Sequence, residues 1–253
     1  MLIGTVVSQN LEQDNRQSKP IKAMILAAGR GNRLRPITDT TPKPLVPLCG
    51  KPLIEYHIEK LAQIGVEEIV INHAWLGDKI EQTLGSGSRW GLKIVYSAEP
   101  EGGLETAGGI INALPLLEDA PFLLINGDVY CEQTFEVLLE QAQQIQAEWQ
   151  ASKAQARLGH LLLVPSPEHN QKGDFGLSSN QQVLEEGEYT FAGLSVLSPA
   201  LFKGMQVDFI RLAPILRQAM QEGRMSGELE QGLWSDIGTI ERLQATELLV
   251  CPK

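Results

Sequence analysis

The chain has 253 residues, 43% of them hydrophobic, enough to bury a sizeable core as one large α/β domain or at most two smaller ones. With 31 acidic against 21 basic side chains and a net charge of -10, it is a poor long-range attractor of nucleic acid or anionic lipid, although a local basic cluster can still hold a small anion. Cys49, Cys131 and Cys251, far apart and odd in number, argue against a disulfide framework or a CxxC metal site and fit a reducing compartment; the four histidines form no HxxxH or HExxH pair, and no apolar run reaches the ~20 residues of a membrane span.

Residues 1–20 lack the basic start and the long apolar section of a signal peptide and read as a poorly ordered tail, or alternatively as an edge strand over residues 2–7. From residue 21, apolar runs alternate with amphipathic helical patterns, the signature of βαβ units and a mainly parallel sheet. "KAMILAA" is a buried strand, and "KPLIEYHIEKLAQIG" a helix with Pro52 near its start and Gly65 at its end. "EEIVIN" is the next strand, followed by a short helix around "LGDKIEQTLG", a strand "LKIVYS", a helix "TAGGIINALPLL" and a strand "FLLINGD". A polar helix over residues 134–150 precedes a strand "LGHLLLVP" and a hairpin-like stretch from "GDFGLSS" to "YTFAGLSVLS". The helices "FIRLAPILRQAMQEG" and "IERLQATELLV" flank "LWSDIGT". Without a repeat or a Ser/Gly linker, residues 21–253 are expected to form a single domain, whose second half adds strands and loops over one end of the sheet.

The stretch "LAAGRGNRLRP" leaves the first strand as a Gly-rich turn, in which backbone N–H groups can approach phosphate oxygens without hindrance from Cβ atoms. Between residues 30 and 51 the cations Arg30, Arg33, Arg35, Lys43 and Lys51 face one carboxylate, Asp39. Glycine and charge alone fit a phosphate cradle or a solvated basic turn equally well. A dinucleotide fingerprint is excluded because Leu34 stands where a small third residue belongs and Pro36 follows; a P-loop lacks its Gly-Lys-Ser/Thr. Prolines 36, 42, 44, 47 and 52 forbid a continuous helix and are expected to hold the segment extended, with Lys43 fixed in it.

The whole string "LAAGRGNRLRPITDTTPKP" resembles the signature of the sugar-1-phosphate nucleotidyltransferases, Leu-Ala-Ala-Gly-x-Gly-x-Arg-x-x-Pro followed by Thr and then Pro-Lys-Pro. The likeness continues through "KPLIEYHIEKL", "ETAGGI", "NGDV", "TFAGLSVL" and "WSDIGT", over roughly residues 21–248. Through "INHAWLG", "GDFGL", "LAPILRQAM" and "WSDIGT" the chain is similar, within that family, to the N-acetylmuramate α-1-phosphate uridylyltransferases of cell-wall recycling.

The resemblance implies a Rossmann-like mixed, mostly parallel sheet flanked by helices, of the nucleotidyltransferase and glycosyltransferase-A kind. It implies attack by a sugar-1-phosphate oxygen on the α-phosphorus of UTP, giving UDP-N-acetylmuramic acid and pyrophosphate in peptidoglycan recycling. A phosphate dianion is already a nucleophile, so the absence of a Ser/His/Asp or Cys/His arrangement is consistent with such chemistry. Ala27, Ala28, Gly29, Gly31 and Asn32 would hold the nucleotide, with Arg33 on the triphosphate and Lys43 on the α-phosphate and the transition state. Asp128, at the end of "FLLINGD", and Asp236 in "WSDIGT" would bind Mg²⁺, which needs only one or two carboxylates besides substrate phosphates. Taken singly, each fits a turn or a helix cap as well.

Thr106 and Gly108 sit at a predicted helix start, where free amides would favour an anion or a base carbonyl, alongside or instead of simple N-capping by Thr106. Glu99, Gly103 and Glu105 are candidates for reading the base, in a loop one residue longer than the family's usual form. Asn126, Asp174, Phe191 and Gly193 would shape the sugar pocket. The Asp-Phe-Gly at 174–176 lacks the other kinase motifs, and no Glu-Lys-Pro supplies a sugar-phosphate lysine, a role that Lys172 cannot be assumed to take. The expected partners are UTP and a sugar-1-phosphate, without nucleic acid or membrane, for a monomeric cytoplasmic enzyme. The rivals are a mannose-1-phosphate guanylyltransferase or another nucleotidyltransferase, and a non-catalytic sugar-nucleotide sensor; Arg33, Lys43, Asp128 and Asp236 together weigh against the sensor.

Overall fold

The computed structural model describes residues 19–252, so the expectations for residues 1–18, the edge strand over residues 2–7 among them, lie outside the described residues. In chain order the elements are β1 (Ala23–Leu26), β2 (Pro47–Leu48), β3 (Lys51–Pro52), α1 (Leu53–Gln63), β4 (Glu68–His73), α2 (Gly77–Leu84), β5 (Lys93–Ala98) and α3 (Glu105–Leu117). Then follow β6 (Phe122–Asn126), β7 (Val129–Cys131), α4 (Glu136–Ala151), β8 (Gly159–Pro165), β9 (Phe175–Leu177), β10 (Val183–Leu197), α5 (Leu212–Gln221), β11 (Met225–Leu229), β12 (Trp234–Asp236) and α6 (Ile240–Val250).

Eight strands make one sheet in the order β11-β8-β10-β6-β1-β4-β5, with β9 paired to β10. β1 pairs in parallel with β4 and β6, β4 with β5, and β11 with β8, while β10 runs antiparallel to β6, β8 and β9. The sheet is therefore mixed and mostly parallel. Of the second half of the chain, which the sequence suggested would lie over one end of the sheet, β8, β10 and β11 instead widen the sheet itself, while β7 and β12 form a separate ribbon beyond the end of β6.

Alternation along each strand fills two layers. Ala23, Ile25, Ile69, Ile71, Leu123 and Ile125 face α1, α2 and α4 through Ile54, Ile58, Leu61, Ile80, Leu84, Leu138 and Ile145. Met24, Val70, Phe122 and Leu124 face α3 and α5 through Ile110, Leu117, Leu212, Leu216 and Met220. A sheet covered on both faces explains why its strands read as continuous apolar runs, each fully buried Ile or Leu contributing about 1.5–3 kcal/mol. A third cluster, Val46, Leu48, Leu53, Tyr130, Ile237 and Leu243, fastens α6 against the segment that follows the first turn.

The proline-rich stretch departs from its expected extended form. It folds into three single 3₁₀ turns, at Asn32–Leu34, Ile37–Asp39 and Lys43–Leu45, before the short β2/β3 ribbon. Proline blocks helix propagation but tolerates one turn, so the segment is stiff and compact. A disulfide joins Cys49 to Cys251 across 202 positions, with Cα atoms 5.3 Å apart, which corrects the reading drawn from an odd and scattered cysteine count. Cys131 is free and buried.

Candidate active site

Strand register fixes the centre of the site. At the carboxyl end of the parallel strands, Leu26 of β1 lies between Asn72 of β4 and Asn126 of β6. Here the chain leaves the sheet in different directions, and a cleft of about 580 Å³ opens, lined by Ala27, Ala28, Gly29, Lys43, Thr106, Asn126 and Asp128 among the expected residues. Arg30, Asn72, Trp75, Glu99, Glu105 and Phe209 complete much of its wall.

The turn after β1 is shaped by Gly31, whose φ of +69° lies in the left-handed region. A Cβ there would come within 2.9 Å of the Thr38 methyl group and 3.1 Å of the Lys43 Cβ, so glycine also permits close approach of the lysine's turn. The Thr38 hydroxyl donates to the Gly31 carbonyl at 2.8 Å. The Arg30 guanidinium lies over the Trp75 ring, its Cζ 3.8 Å from the centroid, while donating to the Thr38 carbonyl and pairing with Asp39. Much of the local positive charge is therefore already neutralised: Arg30 and Arg35 share Asp39, and Lys51 pairs with Glu59.

Lys43, mostly buried, reaches across to the Asp128 carboxylate. Asp128 stands in the turn between β6 and β7; the expected single strand to Asp128 stops at Asn126 because the chain swings away to pair β7 with β12. That pairing sets Asp236 opposite Val129, and the Ile237 N–H donates to the Asp128 carbonyl at 2.7 Å. Two aspartates remote in sequence are thus carried by one small ribbon. Asp236 does not line the cleft; its Oδ1 accepts from Arg242 at 2.9 Å and lies 3.2 Å from His169 Nε2. Both carboxylates offer hard oxygen donors and each is balanced by a cation. Among the described residues no group of three or more His, Cys, Asp or Glu gathers, so the protein alone offers no closed metal cage there. Such a donor set fits Mg²⁺ shared with phosphate oxygens.

Several expected residues are placed elsewhere. Gly31, Asn32 and Arg33 do not line the cleft, and Arg33 turns toward Gly238, where its Nη2 would lie 3.0 Å from an added Cβ. The Gly108 amide is not free: with Ala107 it donates to the Ile210 carbonyl, at 3.2 and 2.9 Å, and a Cβ on Gly108 would meet the Asp208 carbonyl oxygen at 2.0 Å. The glycine serves close packing against the segment before α5, and α3 begins after Leu104 without a side-chain cap, so Thr106 does not cap it. Asp174 accepts from the Phe191 N–H at 3.0 Å and from Asn170 at 3.2 Å, tying its own loop to β10. Gly193, at φ +74° in a bulge of β10, lies against Asn126, whose Nδ2 an added Cβ would approach to 2.7 Å. Asp174, Phe191 and Gly193 lie outside the cleft wall, whereas Glu99, a candidate base reader, lines it while its Oε1 accepts from Asn72. Burial pushes the Glu99 carboxyl above its usual range.

Asn72, Trp75 and Phe209 were not singled out from sequence. Asn72 ends the strand "EEIVIN", and the rule that ligands gather at strand carboxyl ends marks such a position. Nothing local marks Phe209, which the fold brings in from the segment before α5.

The nucleotidyl transferase family profile matches residues 22–157. The chain is 48% identical over 234 residues to the N-acetylmuramate alpha-1-phosphate uridylyltransferase of Neisseria meningitidis serogroup B, covering 90% of this chain and 98% of the relative. It is 32% identical to the mannose-1-phosphate guanylyltransferase catalytic subunit beta of Danio rerio, spanning 61% of that protein's length. A Bacillus anthracis structure, whose name assigns it glucose-1-phosphate thymidylyltransferase activity and which was solved with sucrose, superposes with a TM-score of 0.78 at 22% identity, over 90% of this chain and 94% of that one. At that identity the structural likeness speaks to fold alone.

Proposed function

This chain belongs to the nucleotidyl transferase family, and on that premise we propose that it transfers UMP from UTP to N-acetylmuramate α-1-phosphate, releasing pyrophosphate and forming UDP-N-acetylmuramic acid for peptidoglycan recycling. The observation that carries this reading is the 48% identity to the Neisseria uridylyltransferase over nearly the full length of both proteins.

In the proposed reaction an oxygen of the sugar phosphate forms a bond to the α-phosphorus of UTP while the bond to the pyrophosphate oxygen breaks in line. No proton has to be removed from the nucleophile, so the protein's work is to position two polyanions and to offset their charge. The turn of Ala27, Ala28 and Gly29 offers backbone to the nucleotide on one wall of the cleft, and Thr106 and Asn126 lie on the others. Lys43 holds its ammonium at the cleft, where Asp128 keeps it in place before a phosphate arrives. Asp128 and Asp236 would hold Mg²⁺, which when bound supplies Lewis-acid polarisation of phosphate oxygens. A UTP-consuming reaction fits the cytoplasm, and no helix among the described residues is long and apolar enough to cross a membrane.

The test is a matrix of the four nucleoside triphosphates against N-acetylmuramate 1-phosphate, mannose 1-phosphate and glucose 1-phosphate, read by pyrophosphate release with and without Mg²⁺. Turnover is expected with UTP and the muramyl phosphate and to need the metal. Turnover confined to GTP with mannose 1-phosphate would overturn the assignment, and nucleotide binding without any pyrophosphate release would favour the sensor.

A further inference from the structure

Glu99 has two carboxylate oxygens and both are engaged inside the protein. Oε1 accepts from Asn72 Nδ2 at 2.6 Å, and Oε2 accepts from the Leu104 N–H at 2.9 Å. Asn72, only 3% exposed, uses its other end to accept from the Ala27 N–H at 2.8 Å. A line of hydrogen bonds thus runs from the 99–104 loop on one wall of the cleft, through the end of β4, to the turn that follows β1 on the other. The Glu99 N–H donates to the His73 carbonyl at 2.8 Å, which anchors the carboxylate's own backbone to the same strand. Space for the junction is made by Gly109: a Cβ there would meet Glu99 Oε1 at 2.4 Å and Asn72 Nδ2 at 2.9 Å.

We propose that Glu99, acting through Asn72, is a positioning residue that holds the Ala27 turn and the 99–104 loop in the mutual geometry that receives the nucleotide; this rests on the nucleotidyltransferase reading above. The reason is one of polarity. Two donors, the Leu104 N–H and the Asn72 amide, converge on Glu99, and a carboxylate is the side chain that accepts at both ends. By accepting from Nδ2 it fixes which way round the Asn72 amide lies, so that Oδ1, and not NH₂, meets the Ala27 N–H. Neither residue needs to touch substrate.

The polarity argument supplies its own test. In Glu99→Gln the single amide oxygen cannot serve both donors, and if Asn72 turns over to accommodate it, two N–H groups collide at Ala27. In Asn72→Asp two carboxylates face each other. In the double variant all three contacts return with the charge of the pair unchanged: the carboxylate now at position 72 accepts from the Ala27 N–H and from the NH₂ of the glutamine introduced at position 99, whose oxygen accepts from Leu104. At pH 8 each single variant is expected to raise the UTP KM by about tenfold or more, as follows from leaving buried polar groups unpaired, with the sugar-phosphate KM within about twofold of the parent. The double variant is expected to return to within about threefold of the parent UTP KM. Hydrogen exchange of the Ala27 amide in nucleotide-free protein should quicken in both single variants and slow again in the double one. Unchanged UTP KM and exchange in the single variants, or a double variant no better than either, would overturn the relay. A parent protein that takes up no UTP would overturn the proposed activity, while the exchange arm would still decide whether the relay exists.

Discussion

Lys43 and Asp128 form the ion pair on which the proposed chemistry of the cleft rests. They lie 85 positions apart, yet the lysine, with 13% of its side chain exposed, meets a carboxylate that the Gly127–Asp128 turn presents at the end of β6. A cation held there beforehand needs little reorganisation when negative charge builds on a transferring phosphoryl group. Lys43→Ala is therefore expected to lower kcat by about 10²-fold or more while changing the UTP KM by less than tenfold, checked by steady-state kinetics at saturating sugar phosphate. An equal change in KM with kcat untouched would make the lysine a ground-state binder. The sequence made each of the two residues legible, though not their contact, because Pro-Lys-Pro and "NGD" belong to motifs whose order along the chain is diagnostic. It placed Glu99 at the cleft without showing its bonds to Asn72 and Leu104, since a motif position carries no information about which buried donors a carboxylate meets. Of the residues expected at the sugar, Asn126 lines the cleft, while Asp174 holds Phe191 and Asn170, a duty that depends on the β9/β10 register.

At the level of elements, the alternating β and α patterns up to β6 were readable because a strand buried on both faces and a helix with one apolar stripe differ strongly in period. β11 and β12 were missed, being short and interrupted by Gly227 in "MSGEL" and by polar residues in "WSD". α5 begins at Leu212, three residues later than its pattern suggested, because Ile210 is taken up in bonds to α3. That junction gives a test. An alanine at Gly108 would drive its Cβ to 2.0 Å from the Asp208 carbonyl oxygen, backbone that cannot yield without breaking the Ile210 contacts. The expected loss is about 1–3 kcal/mol of unfolding free energy, measured by urea titration at unchanged m-value. Gly29→Ala is the control, since a Cβ there meets nothing within 4 Å, and its stability should stay within about 0.5 kcal/mol of the parent. If both variants unfold alike, the close approach at Gly108 is not what its glycine is for.

Across the whole molecule, two features tie stability to solution conditions. His57 of α1 is fully buried, stacks on Phe135 with ring centroids 6.0 Å apart, and among the described residues neither ring nitrogen meets a hydrogen-bond partner. Burial pushes its pKa from 6.5 down to about 4. Between those values the unfolded chain takes up a proton that the folded one refuses, so this contribution is whole above pH 6.5 and is lost as pH falls toward 4, by roughly 3 kcal/mol in all. His57→Leu should flatten the decline of urea stability across that window, and an unchanged slope would place the acid sensitivity in other groups. The second feature is the bridge between Cys49 and Cys251. Cys49 sits in the turn between β2 and β3, just after the Lys43 turn; Cys251 follows α6, which carries Arg242 to Asp236. The link thus fastens the two cation-bearing segments of the site beside the cluster of Val46, Leu48 and Leu243. Closing so long a loop restricts the unfolded chain, and Cys251→Ser is expected to cost about 2–4 kcal/mol in a non-reducing buffer. The parent protein melted with reductant should fall to the same level, while the variant should not respond. Alkylation of the unfolded, unreduced parent should label Cys131 alone and, after reduction, Cys49 and Cys251 as well. Labelling of all three before reduction would restore the reading of the chain as a thiol protein, and the apolar cluster would then be what holds α6 in place.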